Sequence, residues 1–332
     1  MLSACSDSES SHEFSSVLID KVFEDSVSIR AIEFLDGNTL AFAGSGGTYG
    51  SVDVRSHAVR TNIQKYDSIF PEFRAVAHTN SDFFMLSAGN PALLYKTGSN
   101  GEMELVYKEE GEGVFYDAMK FWNDSEGIAI GDTVNGCLSI SITRNGGVSW
   151  QKLGCDKLPK GIEGEGAFAA SNTNIAIIEE RTWVGTTEGR ILFSPNKGYT
   201  WELIQTPMVH TKPTEGIYSL DFHNGTTGFA IGGDYTEPKG NTANKIYTKD
   251  GGQHWELLAS GKTPGYKSCV QYVPNSGGYD LVALGFTGID YTKDGGNNWI
   301  SLSEEPFYTL RFLNDSVAYA AGRNRIAKLT FQ

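Results

Sequence analysis

Thr143–Trp150 reads TRNGGVSW, Ser194–Trp201 reads SPNKGYTW, Thr248–Trp255 reads TKDGGQHW and Thr292–Trp299 reads TKDGGNNW. All four fit Ser/Thr-x-Asp/Asn-x-Gly-x-x-Trp, and their tryptophans stand 51, 54 and 44 residues apart. A template that returns at this period marks stacked copies of one supersecondary unit. Its residue types suit a tight hairpin. The Ser/Thr hydroxyl and the Asp/Asn oxygen (Asn145, Asn196, Asp250, Asp294) can bond their own backbone, and the Gly takes a left-handed φ. Trp150, Trp201, Trp255 and Trp299 then serve as packing anchors.

Projecting the four turns onto the rest of the chain predicts seven copies of a four-stranded unit. The most regular copy has strands at Ile217–Phe222, Thr227–Gly232, Lys245–Tyr247 and Trp255–Ala259. Its first two strands recur as Ile29–Phe34 with Thr39–Gly44, Phe73–Ala77 with Phe83–Gly89, and Phe115–Phe121 with Gly127–Gly131. They recur again as Cys269–Val273 with Leu281–Gly285 and as Tyr308–Leu313 with Val317–Gly322. A less regular copy pairs Gly166–Ser171, or its continuation Ile175–Ile178, with Thr182–Gly185. The last copy stops after its third strand, and the alternating segment Val17–Phe23 supplies the missing fourth. The expected fold is therefore all-β: a seven-bladed β-propeller over residues 15–332, closed by its N-terminal strand, with a polar tether at 1–14.

The recurring template resembles the Asp-box, or BNR, repeat. With Gly164–Ser171 (GEGAFAAS), the chain resembles bacterial propellers described as photosystem II stability/assembly factor-like or, loosely, as oxidoreductases. The resemblance implies an interaction or assembly platform without catalysis. The same repeat occurs in sialidases and other glycosidases, so fold alone does not decide function.

Composition narrows the classes. The 332 residues carry a net charge of −13, which disfavours nucleic acid as a partner. No run of 18 apolar residues exists, so no segment has the character of a membrane-spanning helix. No GxSxG, HExxH or P-loop is present, and no dinucleotide-binding glycine motif follows a strand, so no cofactor is expected. The repeat turns lack the oxygen-ligand spacing of a calcium loop, and no metal is expected either.

In a propeller, first strands begin and second-to-third-strand loops emerge on the pocket face. First-strand starts place Arg30, Arg74, Tyr116, Asp117, Glu165, Tyr218, Lys267 and Tyr308 there, and loops add Asp132, Asp234, Arg323 and Arg325. Arg30, Arg74 and Arg323 or Arg325 are expected to converge on an anion, because guanidinium groups hold carboxylates and phosphates bidentately. Lys267 and Tyr308 complete the ligand-binding set. The catalytic candidates are Asp117, Glu165 and Tyr218, with Asp117 and Glu165 as the glycosidase carboxyl pair. Phe73-Arg74-Ala75 lacks the Ile-Pro of the sialidase Phe/Tyr-Arg-Ile-Pro motif. Two long connections, Gln205–Glu215 and Gly233–Ala243, are expected at a binding rim.

Leu2-Ser3-Ala4-Cys5 resembles a lipobox, which implies lipidation at Cys5 and an anchored monomer at a Gram-negative cell envelope, in the periplasm or at the cell surface. Cys137 and Cys155 flank the first repeat turn. If Thr143 faces Ser149, the antiparallel register makes Cys137 face Cys155, at a spacing suited to a disulfide. Two functions follow from the sequence. The leading one is a non-catalytic, lipid-anchored platform for a protein or glycan. The other is a glycan-active hydrolase using carboxylates and arginines on the same face.

Overall fold

A computed structural model describes residues 12–332, a closed all-β propeller; Cys5 lies outside them. Five sheets are four-stranded antiparallel meanders, covering 73–109, 116–152, 175–205, 217–257 and 269–303. In each, strands follow one another outward from the axis. Second strands are buried on both faces by neighbouring sheets and so read as apolar runs, such as Phe83–Ser87 (FFMLS) and Leu281–Gly285 (LVALG). Outer strands meet water, as in Glu202–Gln205 (ELIQ).

The sheets number six, not the seven four-stranded blades expected. The sixth contains Thr309–Phe312, Val317–Phe331, Val17–Phe34, Thr39–Gly44, Thr48–Asp53 and Val59–Ile63. Val17–Phe34 is one unbroken strand. It pairs with Val317–Phe331 along its first part, from Val17 opposite Phe331 to Ser28 opposite Arg323, and with Thr39–Gly44 along its second. The polar Glu24–Asp25–Ser26 stretch, which looks like a break in sequence, is carried as an irregularity between Glu24 and Ser28. The expected first and last units are thus a single six-stranded sheet. Phe14, assigned to the tether, is buried beside Tyr291 and Phe331.

The repeat turns share one hydrogen-bond set. The hydroxyls of Thr143, Ser194, Thr248 and Thr292 accept from the N–H of Gly147, Gly198, Gly252 and Gly296 at 2.8–3.2 Å. Oδ1 of Asn145, Asn196, Asp250 and Asp294 accepts from the N–H four residues on, at 2.9–3.0 Å. Those glycines have φ from +76° to +96°, and they also pack flat on the preceding sheet. A Cβ on Gly147 would lie 2.2 Å from Phe84, one on Gly252 2.6 Å from Trp183, and one on Gly296 2.5 Å from Phe229. Each turn is therefore a contact between sheets as well as a hairpin.

Cys137 and Cys155 are disulfide-bonded, with Cα atoms 5.5 Å apart. The route differs from the expected register. Ser141 pairs with Lys152 and Ile142 with Gln151, one residue away from the Thr143–Ser149 alignment. The fourth strand ends at Lys152, and Cys155 opens a short 3₁₀ turn, Cys155–Lys157, that folds back to meet Cys137. The less regular copy is also corrected. Gly166–Ser171 forms no strand, and the inner strand of that sheet is Ile175–Ile178.

Trp150 and Trp255 are 8% and 6% exposed, whereas Trp201 and Trp299 are half-buried. Trp255 stands edge-on to Phe222 and donates its indole N–H to Gly252 O at 3.1 Å. Trp255→Ala should lower the unfolding free energy by about 3–5 kcal/mol in a denaturant titration, and Trp201→Ala by less. Equal losses at the two positions would show that burial does not set the cost.

Candidate functional site

A pocket of about 490 Å³ opens at one end of the ring axis, and every sheet contributes to its wall. Its side chains are aimed by a shared device. In four sheets the ladder between first and second strands skips one residue near the start of the first strand. Ile29 pairs with Gly44 and Ala31 with Ala43, leaving Arg30 out; Phe73 and Ala75 likewise flank Arg74. The omitted residues in the next two cases are Asp117 and Tyr218. A bulge frees a residue from strand alternation and re-aims its side chain. Here it turns Arg30, Arg74 and Tyr218 into the pocket and leaves Asp117 just beneath its surface.

The floor is chain rather than solvent. Phe168–Asn174 crosses the axis and bonds to inner strands on all sides. Asn172 Nδ2 donates to Val76 O at 2.8 Å, and its Oδ1 accepts from Met119 N–H at 3.0 Å. Ser171 Oγ donates to Ser268 O at 2.6 Å, and Ser171 O accepts from Thr309 Oγ1 at 2.8 Å. Thr173 Oγ1 donates to Ser219 Oγ at 2.7 Å, and Arg311 Nη2 to Asn172 O at 3.3 Å. The pocket is therefore blind, with Ala167–Ala170 at its base.

Charge lies on one arc of the wall. The Arg30 guanidinium stacks 4.1 Å from the Tyr308 ring centre, and its buried Nε has no partner. Arg74 donates to Ala169 O at 3.3 Å. Burial, then the neighbouring Arg30 charge, makes Arg74 a weaker base than usual. Asp117 is fully buried with both carboxyl oxygens unpartnered. Burial and the adjacent Asp132 carboxyl push its pKa well up. Asp132, which faces the pocket, is pushed up to about 6 by burial. A Cβ on Gly166 would fall 1.8 Å from Asp132 Oδ1, so glycine is required for that carboxyl to lie against the floor loop.

The opposite arc is aromatic. Phe168 stacks on Tyr218 at 3.6 Å between centroids, Tyr218 meets Tyr266 edge-on at 4.8 Å, and Tyr266 lies 5.2 Å from Phe286. Tyr235, from the long loop Gly233–Ala243, and Phe286 remain exposed on the rim.

The structure brings Arg30, Arg74, Asp132, Tyr218 and Tyr308 together and places the other candidates elsewhere. Glu165 is buried in a bidentate pair with Arg190, its Oε1 2.9 Å from Nε, and does not face Asp117 across a groove. Lys267 is buried on Asp290 at 2.5 Å and on Gly288 O at 2.9 Å. Arg325 pairs with Glu305 at 2.7 Å, and Arg323 is exposed; neither lines the pocket. Tyr116 is buried between sheets, bonded to Glu109 and Ser141, while Asp234 binds Thr236 and Lys212. Tyr218 donates its hydroxyl to Thr214 O at 2.8 Å. Sequence reasoning missed Phe115, Phe168, Thr187, Tyr266 and Phe286. Tyr266 precedes the chosen Lys267 by one residue, and a one-residue slip reverses which side chain faces the axis.

No family model matches the chain, and no curated protein matches it. Solved structures do. A structure described as YCF48 bound to D1 peptide is similar with a TM-score of 0.68 at 13% identity, covering 97% of this chain and 99% of that one. YCF48 from Cyanidioschyzon merolae gives 0.65 at 13% identity, covering 95% of this chain and 98% of the other. The RRP9 WD40 repeats give 0.68 at 10% identity, covering 96% and 100%. These likenesses show the β-propeller fold.

An aspartate in an unfolded chain titrates near about 3.9. With Asp132 raised to about 6, the folded chain holds its proton more tightly. Its contribution to stability is then full below about pH 4 and is lost as pH rises through 6. The melting temperature of the wild type should fall between these pH values relative to Asp132→Asn. Parallel curves for the two proteins would exclude that proton from the folded state.

Proposed function

We propose that the protein is a non-catalytic binding platform that docks a protein segment on its pocket face. One observation carries this reading: a blind, aromatic-lined pocket presents two arginines that form no ion pair among the described residues, while the carboxyl pair expected for hydrolysis is dismantled by Arg190. The similar fold described with a D1 peptide supports a protein partner. The four turns support their reading as Asp boxes through their shared hydrogen-bond set. The same proposal puts the platform on a lipid anchor at Cys5, at the cell envelope, with the Leu2–Cys5 motif as its support.

A second reading keeps the pocket as a glycan site with Asp132 as the acid, favoured by its raised pKa. Two assays separate them. A panel of chromogenic glycosides should show no turnover above buffer. Peptides selected from a display library should bind with an affinity that Arg74→Ala reduces at least tenfold and Lys249→Ala, at the opposite end of the ring, leaves intact. Turnover lost in Asp132→Asn would replace the platform with the hydrolase. A labelled fatty-acid precursor should mark the wild type and not Cys5→Ser.

A further inference from the structure

Going round the ring, the pocket wall carries Arg30, then Arg74, then Asp132 with Asp117 behind it, and the tyrosine-rich wall stands across from them. Among the described residues, the arginine ion pairs are those of Arg144, Arg181, Arg190, Arg311 and Arg325. Arg30 and Arg74 make none, and neither do Asp117 and Asp132. Arg30, Arg74 and Asp132 are half-buried, and charges that lose part of their hydration gain from a partner. Here two guanidinium groups and the Asp132 carboxyl line one cavity without closing on each other, and Asp117 is buried behind Asp132. Arg30 Nε and both Asp117 oxygens also lack any hydrogen-bond partner.

The ligand that satisfies this wall has two charges. A simple anion would neutralise the guanidinium groups but bring negative charge beside Asp132. A simple cation fails in the opposite way. A zwitterion meets both halves, with bidentate guanidinium contacts to its carboxylate. The aromatic arc takes an apolar or aromatic body, since stacked and edge-on rings at this spacing favour another ring. A cavity of about 490 Å³ holds a molecule of that size.

We propose that this pocket is a site for a small aromatic zwitterion, an α-amino acid or a dipeptide. Its carboxylate is held by Arg30 and Arg74, its ammonium by Asp132, and its ring by Tyr218, Tyr266 and Phe286. The proposal rests on the same pocket and the same two arginines as the platform reading, and adds the Asp132 carboxyl, which that reading does not need.

The test is isothermal titration of the full chain with five probes: L-phenylalanine, the dipeptides Ala-Phe and Phe-Ala, phenethylamine and 3-phenylpropionate. At least one zwitterion should bind tenfold or more tighter than either singly charged analogue. Arg74→Gln should reduce that zwitterion to the level of the amine, and Asp132→Asn to the level of the acid. Comparing the amino acid with the dipeptides tells which charge separation the pocket takes. The wild-type ranking decides even if a variant fails to fold. A preference below tenfold, 3-phenylpropionate or phenethylamine matching the best zwitterion, or no binding by any probe overturns the proposal. Failure here with retained peptide binding at Arg74 leaves the platform standing.

Discussion

The hydrogen bonds of the Phe168–Asn174 crossing hold the centre of this molecule. A ring of sheets leaves an axial channel lined by inner-strand edges, and edge amides and carbonyls need partners. One short segment meets five of the six sheets through Ser171, Asn172 and Thr173, taking backbone groups at Val76, Met119, Leu220 and Ser268 and a side-chain hydroxyl at Thr309. Ser171 is wholly buried and Asn172 nearly so, so these bonds are shielded from competition by water. The same crossing turns a through-channel into a blind pocket. Loss of Asn172 would thus unpair backbone groups on two sheets at once.

The periodic part of the fold was legible because it is local. A hydroxyl, an Asx oxygen and a left-handed glycine within eight residues define a turn, and the aromatic packing follows. Sheet number was not legible. Glu24–Asp25–Ser26 has the composition of a loop, yet Val17–Phe34 runs through it because both of its halves have partners. The Gly166–Ser171 stretch has the opposite property. Its small and apolar residues read as a strand, but its backbone partners lie across the axis, at sequence separations no pattern reveals.

The site was half legible for a related reason. Arg74 and Tyr218 sit where a strand begins, and Arg30 sits where Val17–Phe34 changes partner; a bulge gives each the same outlook, so position along the repeat located them. Glu165 and Lys267 sit at similar positions, but Arg190 and Asp290 claim them. Such pairing depends on which strand lies alongside, and nothing in the spacing of Glu165 and Arg190 announces it.

The continuous strand Val17–Phe34 also sets an order of events during synthesis. Its first residues pair with Val317–Phe331, the latest-made of the described strands. Until then Val17–Phe23 lacks that partner, and its edge stays open while the five intervening sheets are made. Exposed edges of this kind recruit other strands. The charges of Asp20, Lys21 and Glu24, set among Leu18, Ile19, Val22 and Phe23, oppose unwanted pairing along that waiting edge. Ring closure consequently follows synthesis of the intervening sheets, and a chain stalled before Val317–Phe331 carries an open edge on its first described strand.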